Sequence, residues 1–152
     1  MTRYIFASFC VIVAGVIFVN TKTTTEEPAP GDASPLDAEE LQSPEILNYT
    51  QHAVKKVNND PSNERGKDYR KLVKILDGTS QAISGTRYTI RFLLGKTNCK
   101  AKEVENLGSD EHCQLKEDAL ELYVATILSA PWEKYDGEIT VNLVGPYNDL
   151  EQ

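Results

Sequence analysis

From residue 43 onward, hydrophobic and polar positions recur with two different periods. Ile46, Tyr49, Thr50, Ala53, Val54 and Val57 return at the three- and four-residue spacing of one helix face. Ser43-Pro44-Glu45 supplies an N-cap, a proline at the first helical position and an acid in the first turn. Asn58-Asn59-Asp60-Pro61 ends the pattern, which predicts an amphipathic helix of about four turns, roughly 20 Å long at ~1.5 Å per residue. The period then drops to two. Tyr69 to Leu76 alternates loosely, and Arg87 to Leu94 alternates well, with Tyr88, Ile90, Phe92 and Leu94 on one face. Ala119 to Leu128 is apolar on both faces, which predicts a central strand covered on both sides. Ile139, Val141 and Leu143 alternate with Glu138, Thr140 and Asn142 as a half-buried strand. One helix followed by a run of strands predicts an α+β domain: the helix packs on a twisted antiparallel sheet of four to five strands.

Upstream of residue 43 the pattern differs. Arg3 precedes an apolar run from Tyr4 to Val19, the order of a secretory signal peptide, read here as residues 1–20. The cut is open between Val13-Ala14-Gly15 and a point near Val19 or Asn20. A retained signal anchor is the alternative, although the run falls short of the ~20 residues of a membrane span. Residues 21–42 are rich in Thr, Glu, Pro and Ala with few large apolar side chains. They cannot bury enough surface to offset their ordering entropy, and are expected to form a flexible N-terminal arm before a domain spanning 43–152.

Composition narrows the classes. With 152 residues, 40% of them hydrophobic, the chain supports one domain with a real core. The net charge is −7 and no Lys/Arg block or stripe is present. Nucleic acid and anionic membrane surfaces are therefore excluded as partners, and no membrane contact is expected after signal cleavage. Of three cysteines, Cys10 lies in the leader. Cys99 and Cys113 remain as an even pair whose default, in a secreted chain, is a disulfide. A zinc site from Cys99, His112 and Cys113 would lack a fourth ligand and paired C-x-x-C spacing. His52 sits on the predicted helix, and His112 adjoins a cysteine expected to be oxidised. No Ser/His/Asp set, metal cluster or phosphate-cradling loop is legible, so neither catalysis, a metal nor a cofactor is expected.

If the strands pair in sequence order, successive turns alternate between the two ends of the sheet. The Gln81-Ala82-Ile83-Ser84-Gly85 turn and the Pro131-Trp132 turn then fall at one end, together with the start of an N-terminal strand paired to the Tyr69 strand. The Cys99–Cys113 connection falls at the other. Gly85 permits positive φ and close backbone approach. Ala82 and Ser84 keep the turn narrow, and Gln81 can donate and accept hydrogen bonds at its root. Pro131 fixes the backbone before Trp132, the chain's single tryptophan and a large, stiff contact surface. Taken alone, a hairpin glycine and a tryptophan after a core strand are ordinary structural residues. Their joint placement at one end makes a wedge.

These segments resemble the cystatins, inhibitors of papain-type cysteine proteases. The family's Gln-x-Val-x-Gly reads here as Gln81-Ala82-Ile83-Ser84-Gly85, and its Pro-Trp as Pro131-Trp132. Gly95-Lys96-Thr97-Asn98-Cys99 is similar to the run into a cysteine in the secreted members. The resemblance implies a cystatin-like fold and a secreted, reversible inhibitor that occludes the active-site cleft of cathepsins with two hairpin loops and the arm. It implies no covalent chemistry. The alternative is a non-inhibitory secreted binding or regulatory module on the same fold.

Departures from the family pattern are specific. The second disulfide of secreted members has no cysteines here; counting from Trp132, its positions are held by Tyr123 and Leu143, which could pack in place of sulfur. The hinge glycine of the inhibitory arm is missing at its expected place, Ser34-Pro35-Leu36, and Gly31 lies a few residues earlier. Some members also block legumain through an asparagine after the helix, and Asn63 sits in that loop. Asn48-Tyr49-Thr50 is a glycosylation sequon, with Asn48 opposite the apolar stripe. A monomer is expected, with a domain-swapped dimer as the family's alternative.

Overall fold

A computed structural model describes residues 31–60, 68–130 and 138–148. Strand β1 (Ala33–Pro35) leads through a 3-10 turn at Glu40–Gln42 into helix α1 (Pro44–Asn59). Strands β2 (Asp68–Ile83) and β3 (Gly85–Lys100), helix α2 (Ala101–Leu107), and strands β4 (Leu115–Ser129) and β5 (Glu138–Pro146) follow. The strands form one five-stranded antiparallel sheet in sequence order, β1 to β5.

Helix α1 begins where its cap chemistry places it. The Ser43 hydroxyl accepts from the Ile46 amide, and Pro44 occupies the first turn. Its buried face is Ile46, Tyr49, Thr50, Ala53 and Val57, lying on Ile90, Phe92 and Leu94 of β3 and Tyr123, Ala125 and Ile127 of β4. Each large aliphatic or aromatic side chain in that layer contributes about 1.5–3 kcal/mol by leaving water. Thr50 is tolerated in the stripe because its hydroxyl donates to the Ile46 carbonyl at 2.8 Å. Three register shifts between β2 and β3 bend the long hairpin around the helix.

Several expectations need correction. β4 is covered on one face only: Tyr123, Ala125 and Ile127 are buried beneath α1, while Leu122, Val124, Thr126 and Leu128 on the other face are half-buried. The central strand is apolar on both faces although a helix lies on just one. The stretch 33–42, assigned to the flexible arm, carries the expected N-terminal strand as β1 and also the 3-10 turn. Leu36 packs against the core, Asp37 Oδ1 accepts from the Glu39 and Glu40 amides, and the Leu36 amide donates to the Gly78 carbonyl at 2.9 Å. Gly78 provides the seat, since a Cβ there would stand 3.0 Å from Leu36 Cδ1.

Tyr123 and Leu143 are direct cross-strand partners, but only Tyr123 is buried. A register shift beside them marks a bulge in the edge strand, and Leu143 is 56% exposed. Tyr123 instead stacks on Phe92 at 6.1 Å and donates to Glu121 at 3.0 Å. Helix α2 lies outside the sequence expectation, although Glu103 at N3 and Gly108 just past its end are a legible start and stop.

Candidate functional site

One cross-strand row, Ala33, Gln81, Arg87, Leu128 and Glu138, passes through all five strands. At ~4.8 Å between neighbouring strands this row spans roughly 19 Å. Beyond it lie Gly31–Asp32 before β1, the β2–β3 hairpin and Ser129–Ala130 at the end of β4, so three segments remote in sequence share one edge. Cys99 and Cys113 are disulfide-bonded at the opposite end, after β3 and before β4. That bond also commits both sulfurs of the Cys99–His112–Cys113 cluster, and the exposed His112 ring lies with Nε2 3.7 Å from Cys113 Sγ.

The first hairpin is narrow. Ile83 pairs with Gly85 across Ser84, and Ala82, Ile83 and Ser84 are exposed. Ile83 is among the few large apolar side chains the described residues leave in water, at 41% exposure. Gly85 has φ +102°, and a Cβ on it would stand 2.4 Å from the Ser129 carbonyl oxygen. Glycine is thus required twice over, for its dihedral and for the close passage of the chain leaving β4.

Gln81 joins two of the three segments. Its Nε2 donates to the Gly31 carbonyl at 2.7 Å, and its Oε1 accepts from Arg87 Nη1 at 3.2 Å. Gly31, which by its position in the sequence lies too early for the hinge, has φ +97° at the entry to β1, and a Cβ placed on it would meet nothing within 4 Å. Ser34 and Pro35 pair with Ser80 and Thr79, and Leu36, expected in the contact set, is held against the core. Pro131, Trp132, Asn63 and residues 1–30 lie outside the described residues. The described flanks of Pro131 and Trp132, Ser129–Ala130 and Glu138, are at the edge just defined. Asn48 is exposed on α1.

The charged clusters sit elsewhere. At the far end of the sheet, Arg70 is 7% exposed and pairs with Glu121 at 2.7 Å, while Lys96 reaches the other carboxylate oxygen at 2.9 Å. Burial alone would raise the Glu121 carboxyl; the hydrogen bonds from Arg70 and Lys96 outweigh it and hold the group down at about 2. Burial pushes the Tyr123 hydroxyl up to about 12, reinforced by the Glu121 charge. Asp68, bonded by Lys100 and Lys116, is held at about 2. These groups are paired structural ions rather than an acid–base set beside a cleft.

A small-residue hairpin beside the end of β4, at one end of a helix-backed antiparallel sheet, is compatible with a protease-inhibitor-like fold. The Cystatin domain family model matches residues 34–132, more than half of the chain. The chain belongs to the cystatin family. It is 27% identical over 129 residues to Kininogen-1 of Mus musculus, covering 84% of this chain and 18% of that protein. It is 29% identical over 94 residues to T-kininogen 2 of Rattus norvegicus, covering 61% and 21%. It therefore spans about a fifth of the length of these relatives. Among solved structures it resembles Al-CPI (TM-score 0.58, 21% identity, 75% of this chain and all of that one). It also resembles Mialostatin, a gut cystatin from the hard tick Ixodes ricinus (TM-score 0.55, 19% identity, 76% and 100%). A third is dimeric human cystatin F (TM-score 0.52, 16% identity, 84% and 98%). These structural likenesses establish the shared fold.

Proposed function

We propose that this chain is a secreted, reversible inhibitor of papain-type cysteine proteases that acts by occluding the active-site cleft. The observation that carries the reading is the shared edge: Ala33 beside Gln81, and Gly85 against Ser129, unite the arm, the first hairpin and the root of the second connection. The first hairpin offers exposed small side chains and backbone. Pro131 and Trp132 follow two and three residues after Ser129. The arm enters the cleft through Gly31 and the residues before it, because Leu36 is engaged with the core. No bond is made or broken. Affinity comes from excluding water over a preformed surface whose ordering entropy was already spent in folding the sheet.

Titration of papain and several cathepsins with the refolded chain lacking residues 1–20 tests this directly. Tight-binding inhibition is expected. Trp132→Ala should cost about 2 kcal/mol or more of binding free energy, as a large aromatic anchor does. Ser84→Arg, a bulky charge on an exposed turn, should block entry while leaving the thermal midpoint near the parent's. A chain that binds none of these proteases leaves the non-inhibitory binding module as the reading, and unchanged inhibition by both variants removes the edge as the site.

A further inference from the structure

We propose that Tyr49 of helix α1 and Ser129 of strand β4 form a clamp that sets the direction in which the chain leaves β4 toward Trp132, making Tyr49 a positioning residue for the binding edge. The inference rests on the inhibitory reading above for its effect on proteases, but the clamp itself stands on geometry. The Tyr49 hydroxyl lies 2.8 Å from Ser129 Oγ and 3.1 Å from Glu45 Oε1. A phenol has one proton to give. The ionised Glu45 carboxylate is acceptor-only, so Tyr49 donates there while the Ser129 hydroxyl supplies the proton of the second bond.

Three independent constraints meet at Ser129, the last residue of its strand. Its backbone is registered against Thr86 of β3. Its carbonyl passes so close to Gly85 that no side chain fits between them. Its side chain is held by Tyr49, a residue 8% exposed in the core whose ring packs against Tyr88 at 5.6 Å. A ring fixed by packing holds its hydroxyl at a defined point, so the helix transmits its position to the root of the second connection. The stripe rule accounts for an aromatic at position 49 and gives no reason for its hydroxyl; phenylalanine would fill the same volume.

The test uses the single tryptophan of the chain, Trp132, as a reporter that needs no protease. In Tyr49→Phe and in Ser129→Ala, time-resolved anisotropy of the free protein should show faster local depolarisation of Trp132, and papain should dissociate about fivefold faster with an unchanged association rate. A net hydrogen bond is worth a factor of roughly 2 to 12, and losses of this kind appear mainly in the off-rate. The double variant should be no worse than either single one. Thr50→Val, which removes a neighbouring buried hydroxyl bonded inside the helix, serves as the control: a lower thermal midpoint with parental anisotropy and dissociation. Parental anisotropy and dissociation rates in both clamp variants would overturn the proposal, as would equal acceleration in the Thr50→Val control. If the parent itself fails to bind papain, the inhibitory reading falls and the anisotropy alone decides the clamp.

Discussion

At Gly85 one missing side chain serves the fold and the proposed binding edge together. Its φ of +102° costs about 1–2 kcal/mol for a residue carrying a Cβ, and the 2.4 Å approach of the Ser129 carbonyl adds a clash with backbone that cannot rotate away. Gly31 separates the two effects, because it has a similar φ of +97° with open space around it. Gly31→Ala should therefore lose about 1 kcal/mol of stability in urea unfolding, and Gly85→Ala about 2 kcal/mol or more. Gly85→Ala should also inhibit papain less well, since relieving the clash displaces either the first hairpin or the end of β4. Equal losses at the two positions would mean that the close approach contributes nothing. For the same reason a large residue at position 85 is a poor probe of binding, and Ser84→Arg, at the exposed apex, is the cleaner one.

Among the elements, those with strong local signals are where the sequence places them. Helix α1 runs from Pro44 to Asn59 because cap, proline and stripe agree, and β3 follows the alternation of Tyr88 to Leu94. Their ends run further than the pattern, β2 to Ile83 and β3 to Lys100, because pairing with a neighbour continues through polar residues such as Thr79, Ser80 and Thr97. What escaped the sequence has non-local causes. An N-terminal strand paired with β2 is expected from the sequence, but its bounds are not legible there, because Ala33–Pro35 is short and polar and is fixed by pairing with Thr79–Gln81 and by seating Leu36 over Gly78. Leu143 alternates like a core residue but stands on an edge strand with a register shift beside it. The shared edge was legible from turn parity alone; the Gln81–Gly31 bond was not, since it depends on that β1 pairing. The Cys99–Cys113 connection holds α2 and a small cluster of Val104 and the two half-cystines, with Tyr69 packed on it. Replacing both cysteines by serine should cost about 3 kcal/mol, from the loop entropy returned to the unfolded chain across a separation of 14 residues. The expected outcome is a lower urea midpoint with papain affinity unchanged when measured where the variant is still folded, because the bridge lies at the end opposite the edge.

Across the whole molecule, the Glu121 and Asp68 ion clusters and the proposed binding edge lie at opposite ends of the sheet, so stability and the proposed inhibition can be titrated apart. Glu121 and Asp68 both have carboxyls held at about 2 in the folded protein, against ordinary values of 4.5 and 3.8. For a depressed carboxyl the stabilisation is complete above the unfolded value and is lost as pH falls through the folded one. Folding stability should thus be level with respect to these groups from neutrality to about pH 5 and decline between about pH 4.5 and 2. Glu121 faces Arg70, Lys96 and Tyr123, and Asp68 faces Lys100 and Lys116. Glu121→Gln leaves Arg70 buried without its counter-charge and should cost about 3 kcal/mol at pH 7. Near pH 2 the parent carboxyl is itself becoming protonated, so the gap between parent and variant should narrow there. Urea unfolding of both proteins at pH 7, 4 and 2 measures that gap directly. A difference that stays constant down to pH 2 would show that Glu121 acts through packing rather than charge. In the other direction, papain affinity of the folded variant at pH 7 should equal the parent's, since among the described residues no member of this cluster belongs to the row from Ala33 to Glu138.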